Sequence, residues 1–595
     1  MANFYADSSE WKYLFHHAID WDRIVPLYYS AFPTPEGFKN KEEVLAFYEE
    51  VLTNTGKWSA ETVFPRAREL DQVGGGRLTE KGTVEISEPL QKTYREATEM
   101  GLHGLAVPAA FGGLGMPVAA GLVAFTQLTR ACLSTSTQLG FFTSIADMIE
   151  RFCDAETQNR LIPRIVAGEL SGSMCLTEPD CGSDLSAVRT SAEKQPDGTY
   201  KLNGTKRFIT NGGGGLGFVL ARVKGAPAGL EGLSLFLAEE WLGDRHNYAI
   251  TKIEEKMGLH GSPTCEVVYD DTVARVVGKE GDGFAHMLHL MNEARISVGL
   301  QGLGGIEQAL HVARTYCENR KAFGKPVTEL PLMKRNFRDW ETERDAFRAL
   351  MVDTVSFFDI FQRLDLKKRH SIELTKEEEH LYKKAKAITR LRTPLVKFYG
   401  TEAYTTLSIK AIQAHGGYGF IQEYDAERIH RDSFAPLLYE GTSQIQALMA
   451  MKDLVKGMLT NPARFVSTLV QGHPIGALLE DSEYTRSITS VRHEFRKKAA
   501  ALVMRCFRPE LGISDKGLAD TLAQVRGVFR REYWQEANRF DRLMEHAETL
   551  CQALCYVETL RVLAKHAVKD PTRGDLYKRY LALVTPRLTA IYSDW

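Results

Sequence analysis

The sequence predicts a mostly helical α+β fold: an N-terminal helical domain, a small antiparallel β domain, a C-terminal four-helix bundle and an extra C-terminal helical domain. Three observations carry this. Helical periodicity dominates on both sides of one stretch, 171–277, that holds only short β-type runs separated by turn residues. The order is segregated rather than alternating, which argues against a βαβ dinucleotide fold. At 595 residues the chain has room for about four units of roughly 150 residues each.

Residues 1–40 hold two short aromatic-rich helical candidates broken by Pro26, Pro33 and Pro35, read as an extension lying on the main body. The N-terminal helical domain covers 41–170. There Leu90, Tyr94, Ala97 and Leu102 recur near the 3.6 period, Pro108–Gly115 reads as a loop, and helices are expected over Val118–Leu133 and Thr143–Ala155. The β domain, 171–282, is expected to hold strands at Ser173–Leu176, Tyr200–Leu202, Arg207–Ile209, Gly217–Val223, Ser234–Leu237 and Cys265–Tyr269. Turns fall at Pro179-Asp180, Pro196-Asp197-Gly198 and Asn211-Gly212. The bundle, 283–455, carries apolar stripes such as Leu288, Met291, Ile296 and Leu300. Its charged stretch, about 357–382, reads as an exposed insertion lengthening two helices. Residues 456–595 complete the chain as amphipathic helices, one of them over Thr521–Gln552.

Composition narrows the function. Hydrophobic residues at 44% and charged residues at 25% exclude disorder as the main state. With 74 basic and 76 acidic residues, nothing in the overall charge points to nucleic acid. Residues 461–595 carry 21 basic against 16 acidic residues, but the signs are interspersed, the pattern of a solvated helix face. No apolar run reaches about 18 residues, so no spanning helix is predicted. Met1–Asp22 lacks the basic start and apolar core of a secretion signal. Nine scattered cysteines, an odd number, fit a reducing compartment, and a cytoplasmic location is expected.

Several familiar motifs are absent: GxxxxGK[ST], HExxH and paired CxxC, so no metal is expected. Gly299, Gly302, Gly304 and Gly305 imitate a dinucleotide loop but lie in helical sequence, where close helix packing explains them. Gly212–Gly215 read as a tight turn, and Cys551 and Cys555 as core.

Five segments are informative, and they come in a fixed order. Met174–Asp184 (MCLTEPDCGSD) ends a strand and enters a turn that offers the hydroxyls of Thr177 and Ser183. Lys206–Gly213 (KRFITNGG) brings a ring at Phe208 and a hydroxyl at Thr210. Arg320–Lys325 (RKAFGK) stands at a helix end, where cations ordinarily cap; Arg320 is also suited to a phosphate. Gln413–Phe420 (QAHGGYGF) has glycines that let a ligand approach the backbone. Leu438–Gln446 (LYEGTSQIQ) sets the Glu440 carboxylate in an apolar loop before a helix, where capping is its alternative use.

Together these segments resemble the acyl-CoA dehydrogenase family over roughly 41–455, in the family's own α–β–α order. The added length is similar to the larger bacterial members that act on acyl-CoA or 3-methylthiopropionyl-CoA, and to the very-long-chain branch with its C-terminal helical domain. The resemblance implies FAD between the β domain and the bundle. Residues matching Met174, Leu176, Thr177, Gly182 and Ser183 line the flavin, and Ser183 also touches substrate. Phe208 matches the residue against the flavin ring, and Thr210 the threonine near its N5. Arg320 and Phe323 match residues reaching the FAD of a neighbouring subunit, as do Gln413, Gly416 and Gly417. Thr442 and Gln444 match contacts in the loop after the base. Glu440 matches the base itself, with Gly441 beside it in the substrate site. Asn292 and Arg295 align with an Asp and an Arg near the substrate, so the first contact is altered. Leu330-Pro331 replaces a His-Gln that contacts adenine in many members.

The implied reaction is α,β-dehydrogenation of an acyl-CoA in fatty-acid β-oxidation. Glu440 removes the α-proton, hydride passes to flavin N5, and electrons go to an electron-transfer flavoprotein. A dry pocket raises a glutamate pKa into the useful range, and Leu438 and Tyr439 are consistent with one. Shared FAD contacts imply at least a dimer, and members with the added C-terminal domain tend to stop there, which puts a homodimer ahead of a tetramer. Rival readings keep the fold: an acyl-CoA oxidase using oxygen, or a low-activity DNA-binding flavoprotein. Peripheral membrane contact is a third use for the C-terminal extension. The acyl group itself is not legible.

Overall fold

A computed structural model of the chain describes residues 2–460, 482–507 and 539–595. The N-terminal extension forms α1 (Ser9–His17) and α2 (Trp21–Tyr28). Both lie on the main body. Trp11 Nε1 donates to Glu307 (3.1 Å), which Arg348 also holds (2.8 Å), and Tyr28 Oη donates to Asp359 (2.9 Å). The helical domain continues with α3 (Lys41–Trp58), α4 (Phe64–Val73), α5 (Glu88–Glu99), α6 (Val118–Ala131), α7 (Leu133–Phe152) and α8 (Ala155–Val166). A hairpin absent from the sequence reading, β1 (Gly76–Leu78) with β2 (Val84–Ile86), interrupts it. α7 begins ten residues earlier than its pattern indicates, because only Cys132, extended at φ −158°, separates it from α6. No glycine or proline marks that break.

The β domain comprises β3 (Ser171–Cys175), β4 (Ser191–Lys194), β5 (Tyr200–Thr210), β6 (Gly215–Val223), β7 (Leu233–Glu239), a hairpin β8 (Trp241–Leu242) and β9 (Arg245–His246), then β10 (Ala249–Ile253) and β11 (Thr264–Val276). Most pairings are antiparallel, but β3 and β4 both run parallel to β6. Strand β7 pairs with both β6 and β11, so β11, β5, β4, β6 and β7 close on themselves and leave few edges open.

The bundle is α9 (Gly283–Asn319), α10 (Pro331–Arg369), α11 (Lys376–His415) and α14 (Ser443–Thr460), with α12 (Asp425–Asp432) and α13 (Phe434–Leu438) between the last two. The glycines of α9 are packing glycines. A Cβ on Gly302 would lie 2.5 Å from the Gly400 backbone, and one on Gly305 2.3 Å from the Tyr404 ring. The first part of the charged stretch read as an exposed insertion packs against the body, and the rest is exposed as read. Phe358, Ile360, Leu364 and Leu366 are buried, Asp359 accepts from Ala119 N (2.7 Å), and Arg363 Nε donates to Leu27 O (3.0 Å). Only 368–380, the tip where α10 turns into α11, is mostly exposed. The charges occupy one helix face and hide the apolar stripe on the other.

C-terminal helices span Glu483–Phe507, Arg539–Met544, Ala547–Lys569 and Gly574–Asp594. They share one hydrophobic core with the bundle, and Cys551 and Cys555 lie in it. The first part of the helix read over Thr521–Gln552 falls outside the described residues; the rest breaks at Glu545-His546. Among the described residues no helix is long and apolar enough to cross a membrane.

Candidate active site

Glu440 sits in the short turn between α13 and α14. It and Gly441 both adopt left-handed backbone, φ 58° and 90°. For glutamate this conformation costs on the order of 1–3 kcal/mol and persists only where the surroundings enforce it. They do. The Glu440 carbonyl accepts from Arg295 Nε (3.2 Å) and Gln446 Nε2 (3.0 Å), and Gln446 Nε2 also reaches the Gly441 carbonyl (3.0 Å). Upstream, Lys397 Nζ donates to Leu437 O (3.1 Å). Tyr439 Oη donates to Gln301 Oε1 (2.7 Å), whose Nε2 donates to Thr137 Oγ1 (3.0 Å). The backbone is pinned by its carbonyls, which leaves the carboxylate itself free to point elsewhere.

It lines a cavity walled by α6, α7 and α9, which Met174 and Thr210 of the β domain also line. Burial pushes the Glu440 carboxyl up to about 7, although Arg295 and Lys397 pull the other way. Burial likewise lowers the Lys397 ammonium to about 8, against the attraction of Glu440. A carboxylate with these properties can take a proton near neutral pH.

The remaining expected site residues fall into three groups. On the β domain, Leu176 and Thr177 are half-buried, Gly182 and Ser183 are exposed, and the Phe208 ring is 58% exposed at φ 60°. The turn carrying them is held from beneath by a buried pair that sequence reasoning missed. Lys206 Nζ bonds Glu178 Oε1 and Leu176 O (2.8 Å each), while Glu178 accepts from Arg189 N and Thr190 N (2.8 and 2.9 Å). A lysine within a strand gives no sign that it is buried. At one end of the bundle, Arg320 stacks 5.9 Å over the Tyr418 ring beside Gln413, Gly416 and Gly417, and Phe323 is 93% exposed. Around Glu440, Asn292 Oδ1 accepts from Arg295 Nη1 (2.9 Å), and Thr442 caps α14 loosely through Ile445 N (3.4 Å). Gln444 is turned away to Glu548 of the C-terminal helices (2.8 Å). The resemblance sets Arg295 near the substrate, Lys397 is a residue that sequence reasoning missed, and the folded chain brings both to residue 440.

The sequence matches the family models for the acyl-CoA dehydrogenase N-terminal domain over 40–169, the middle domain over 173–272 and the C-terminal domain over 281–455. It is 31% identical over 452 residues to a 3-methylmercaptopropionyl-CoA dehydrogenase of Ruegeria pomeroyi, covering 72% of this chain and 74% of that one. It is 32% identical over 388 residues to an acyl-CoA dehydrogenase of Bacillus subtilis, covering 63% and 95%. Among solved structures, an acyl-CoA dehydrogenase complexed with FAD from Bacillus anthracis has the same fold, with a TM-score of 0.73 at 20% identity over 98% of this chain and 91% of that one. The butyryl-CoA dehydrogenase of Megasphaera elsdenii aligns at TM-score 0.58 and 26% identity, over 68% and 97%.

Proposed function

Because the chain belongs to the acyl-CoA dehydrogenase family, we propose that it oxidises the α,β-bond of an acyl-CoA thioester, with Glu440 as the base and FAD as the cofactor. The observation that carries this is the Glu440 carboxyl, raised to about 7, in one cavity with Met174 and Thr210. The residues present fit FAD. Around Gly416 and Gly417 nothing lies within 4 Å of a would-be Cβ, so their backbone is bare to a ligand, and Arg320 beside them is a phosphate partner. Phe208 offers an exposed ring at the strand end. When bound, FAD supplies the acceptor for the β-hydride.

The chain's own part is positional. Glu440 takes the α-proton, its backbone fixed by Arg295 and Gln446 so that only the carboxylate moves. Leu176, Thr177, Gly182 and Ser183 would hold the cofactor, and Ser183 would also touch the substrate. Thr210, in the same cavity as Glu440, would bond the ring edge, and Gly441 and Thr442 would close the loop. A second copy would bring Arg320, Phe323 and Gln413 to the neighbour's FAD, which supports a homodimer. Electrons would pass to an electron-transfer flavoprotein. The carbanion-forming step needs an apolar, closed site; Tyr439 and Glu440 are half-buried, while Leu438, read beside them as desolvating, is 65% exposed.

The test is anaerobic mixing of the FAD-loaded enzyme with acyl-CoAs from short to long, 3-methylthiopropionyl-CoA included. Flavin bleaching with release of a 2-enoyl-CoA is expected, and no bleaching with any of them would sink the reading. Reoxidation by air as fast as by an electron-transfer flavoprotein would make the enzyme an oxidase instead.

Two further outcomes follow. The base must be ionised to work, so kcat/KM should rise with pH through a single ionisation near 7 and fall away below it. A profile flat from pH 5 to 8 would remove Glu440 from that role. Arg320→Ala should weaken FAD binding by about 1.5–3 kcal/mol, the worth of a charged hydrogen bond. Unchanged flavin content after dilution and gel filtration would show that Arg320 holds no phosphate.

A further inference from the structure

The cavity that receives the Glu440 carboxylate does not end in an apolar bottom. α7 and α9 run antiparallel beside it: Thr137 meets Gln301 near Tyr439, and Asp147 meets His289 (3.3 Å) farther on. Thr137 and Asp147 lie about 15 Å apart along the α7 axis at the ordinary helical rise. At the far level Arg151 Nε grips both oxygens of Asp147 (2.7 and 2.8 Å), and Gln362 Nε2 on α10 reaches Glu293 Oε2 (3.4 Å). Asp147, Glu150, Arg151, Glu293 and Gln362 all line the same cavity as Glu440.

Two polar atoms there are left over. Arg151 Nη1 and Gln362 Oε1 are buried and have no hydrogen-bond partner among the described residues. The Arg151 side chain is 4% exposed and Gln362 3%. A buried donor or acceptor left unpaired costs about 1–3 kcal/mol. One donor lacks an acceptor and one acceptor lacks a donor on the wall of the same cavity, and a group that is both would suit each of them. A hydroxyl has that character.

Other ligand chemistries fit less well. A carboxylate offers acceptors only and would set a second negative charge beside Asp147. An ammonium offers donors only and meets the Arg151 guanidinium. A metal ion would find ligand atoms of Asp147, His289 and Glu293 within 4.8 Å of one another, but Arg151 already occupies the Asp147 carboxylate and would repel it.

We propose that the acyl group taken by this chain carries a hydroxyl distant from the thioester, received between Arg151 Nη1 and Gln362 Oε1. The inference rests on the acyl-CoA dehydrogenation proposed above and narrows its substrate to hydroxylated acyl-CoAs. Arg151 and Gln362 are then specificity residues rather than catalytic ones.

FAD-loaded enzyme is mixed anaerobically with acyl-CoAs matched in length, each with and without a terminal hydroxyl, from short to long chains. Bleaching by the unsubstituted compounds tests dehydrogenation itself, independently of the subsite. The subsite requires a kcat/KM preference of roughly 10–100-fold for the hydroxylated member at the length that reaches Arg151. That ratio should collapse in Gln362→Leu and in Arg151→Met, whatever happens to the absolute rates. If either variant fails to fold, the wild-type ratio still decides. No preference at any length overturns the proposal. So does preference for a terminal carboxylate, a preference that survives in both variants, or stoichiometric zinc retained by the holoenzyme after dialysis against added zinc.

Discussion

Replacing Glu440 by glutamine is expected to give a folded, yellow, FAD-bearing protein whose flavin is no longer bleached by acyl-CoA. The loss should be at least roughly 10²–10⁴-fold, the usual worth of a positioned general base. The substitution is informative because Arg295 and Gln446 bond the carbonyl of residue 440 rather than its carboxylate, so the amide leaves the turn intact. It should also stabilise the protein at alkaline pH. The Glu440 carboxyl titrates near 7 in the folded chain and near 4.3 when unfolded, so the unfolded state ionises more readily. The folded state therefore loses stability as pH rises from about 4.3 to about 7, a penalty that glutamine does not carry. Thermal unfolding at pH 8 should show the variant at or above wild type. Flavin reduction at wild-type speed would mean that another group takes the proton.

This opposition between activity and stability explains why the site was legible in the sequence while its supports were not. A glutamate in an apolar loop ahead of a helix breaks the local rules, and so do Gly416 and Gly417, so they stand out. Lys206 and Lys397 obey those rules: a lysine in a strand or a helix reads as solvated, and only the fold shows it buried against Glu178 or near Glu440, whereas the resemblance already sets Arg295 near the substrate. The polar end of the cavity draws Arg151, Glu293 and Gln362 from three helices, and no spacing links them. Strand reading passed over β4, β8, β9 and β10 and broke β5. β5 was legible only as two pieces because Asn203-Gly204-Thr205-Lys206 is polar, and Gly204 at φ 153° lies so close to Thr190 that a Cβ would stand 2.6 Å away. Alternation of side chains says nothing of strand direction, which is why the parallel pairings of β3 and β4 with β6 were hidden.

The largest loss of stability is expected from Asp353→Ala. Asp353 on α10 is 2% exposed and accepts from Arg392 Nη1 of α11 (2.7 Å) and from Lys565 Nζ of the C-terminal helix Ala547–Lys569 (2.6 Å). Arg392, 1% exposed, also donates to Glu558 of that helix (3.3 Å), which Arg561 holds in turn (2.7 Å). Removing the carboxylate leaves the buried guanidinium with only the longer contact to Glu558, at a cost of about 3–5 kcal/mol. Burial alone would raise the Asp353 carboxyl, but Arg392 and then Lys565 hold it well below the ordinary carboxylate range. Its contribution is therefore complete above about pH 4, the unfolded value, and lost as pH falls further. Urea unfolding at pH 7 should show the deficit, and it should shrink at pH 3. A midpoint equal to wild type at pH 7 would mean that the network carries no net stability. Asp353→Leu combined with Arg392→Met separates the two possible origins of the deficit. If the stranded charge is the cause, the double variant recovers most of it, because apolar residues of similar volume replace a buried pair at little cost. If attraction between the charges is the cause, the double variant is as unstable as the single one, and the tail is held to the bundle by electrostatics rather than by the core they share.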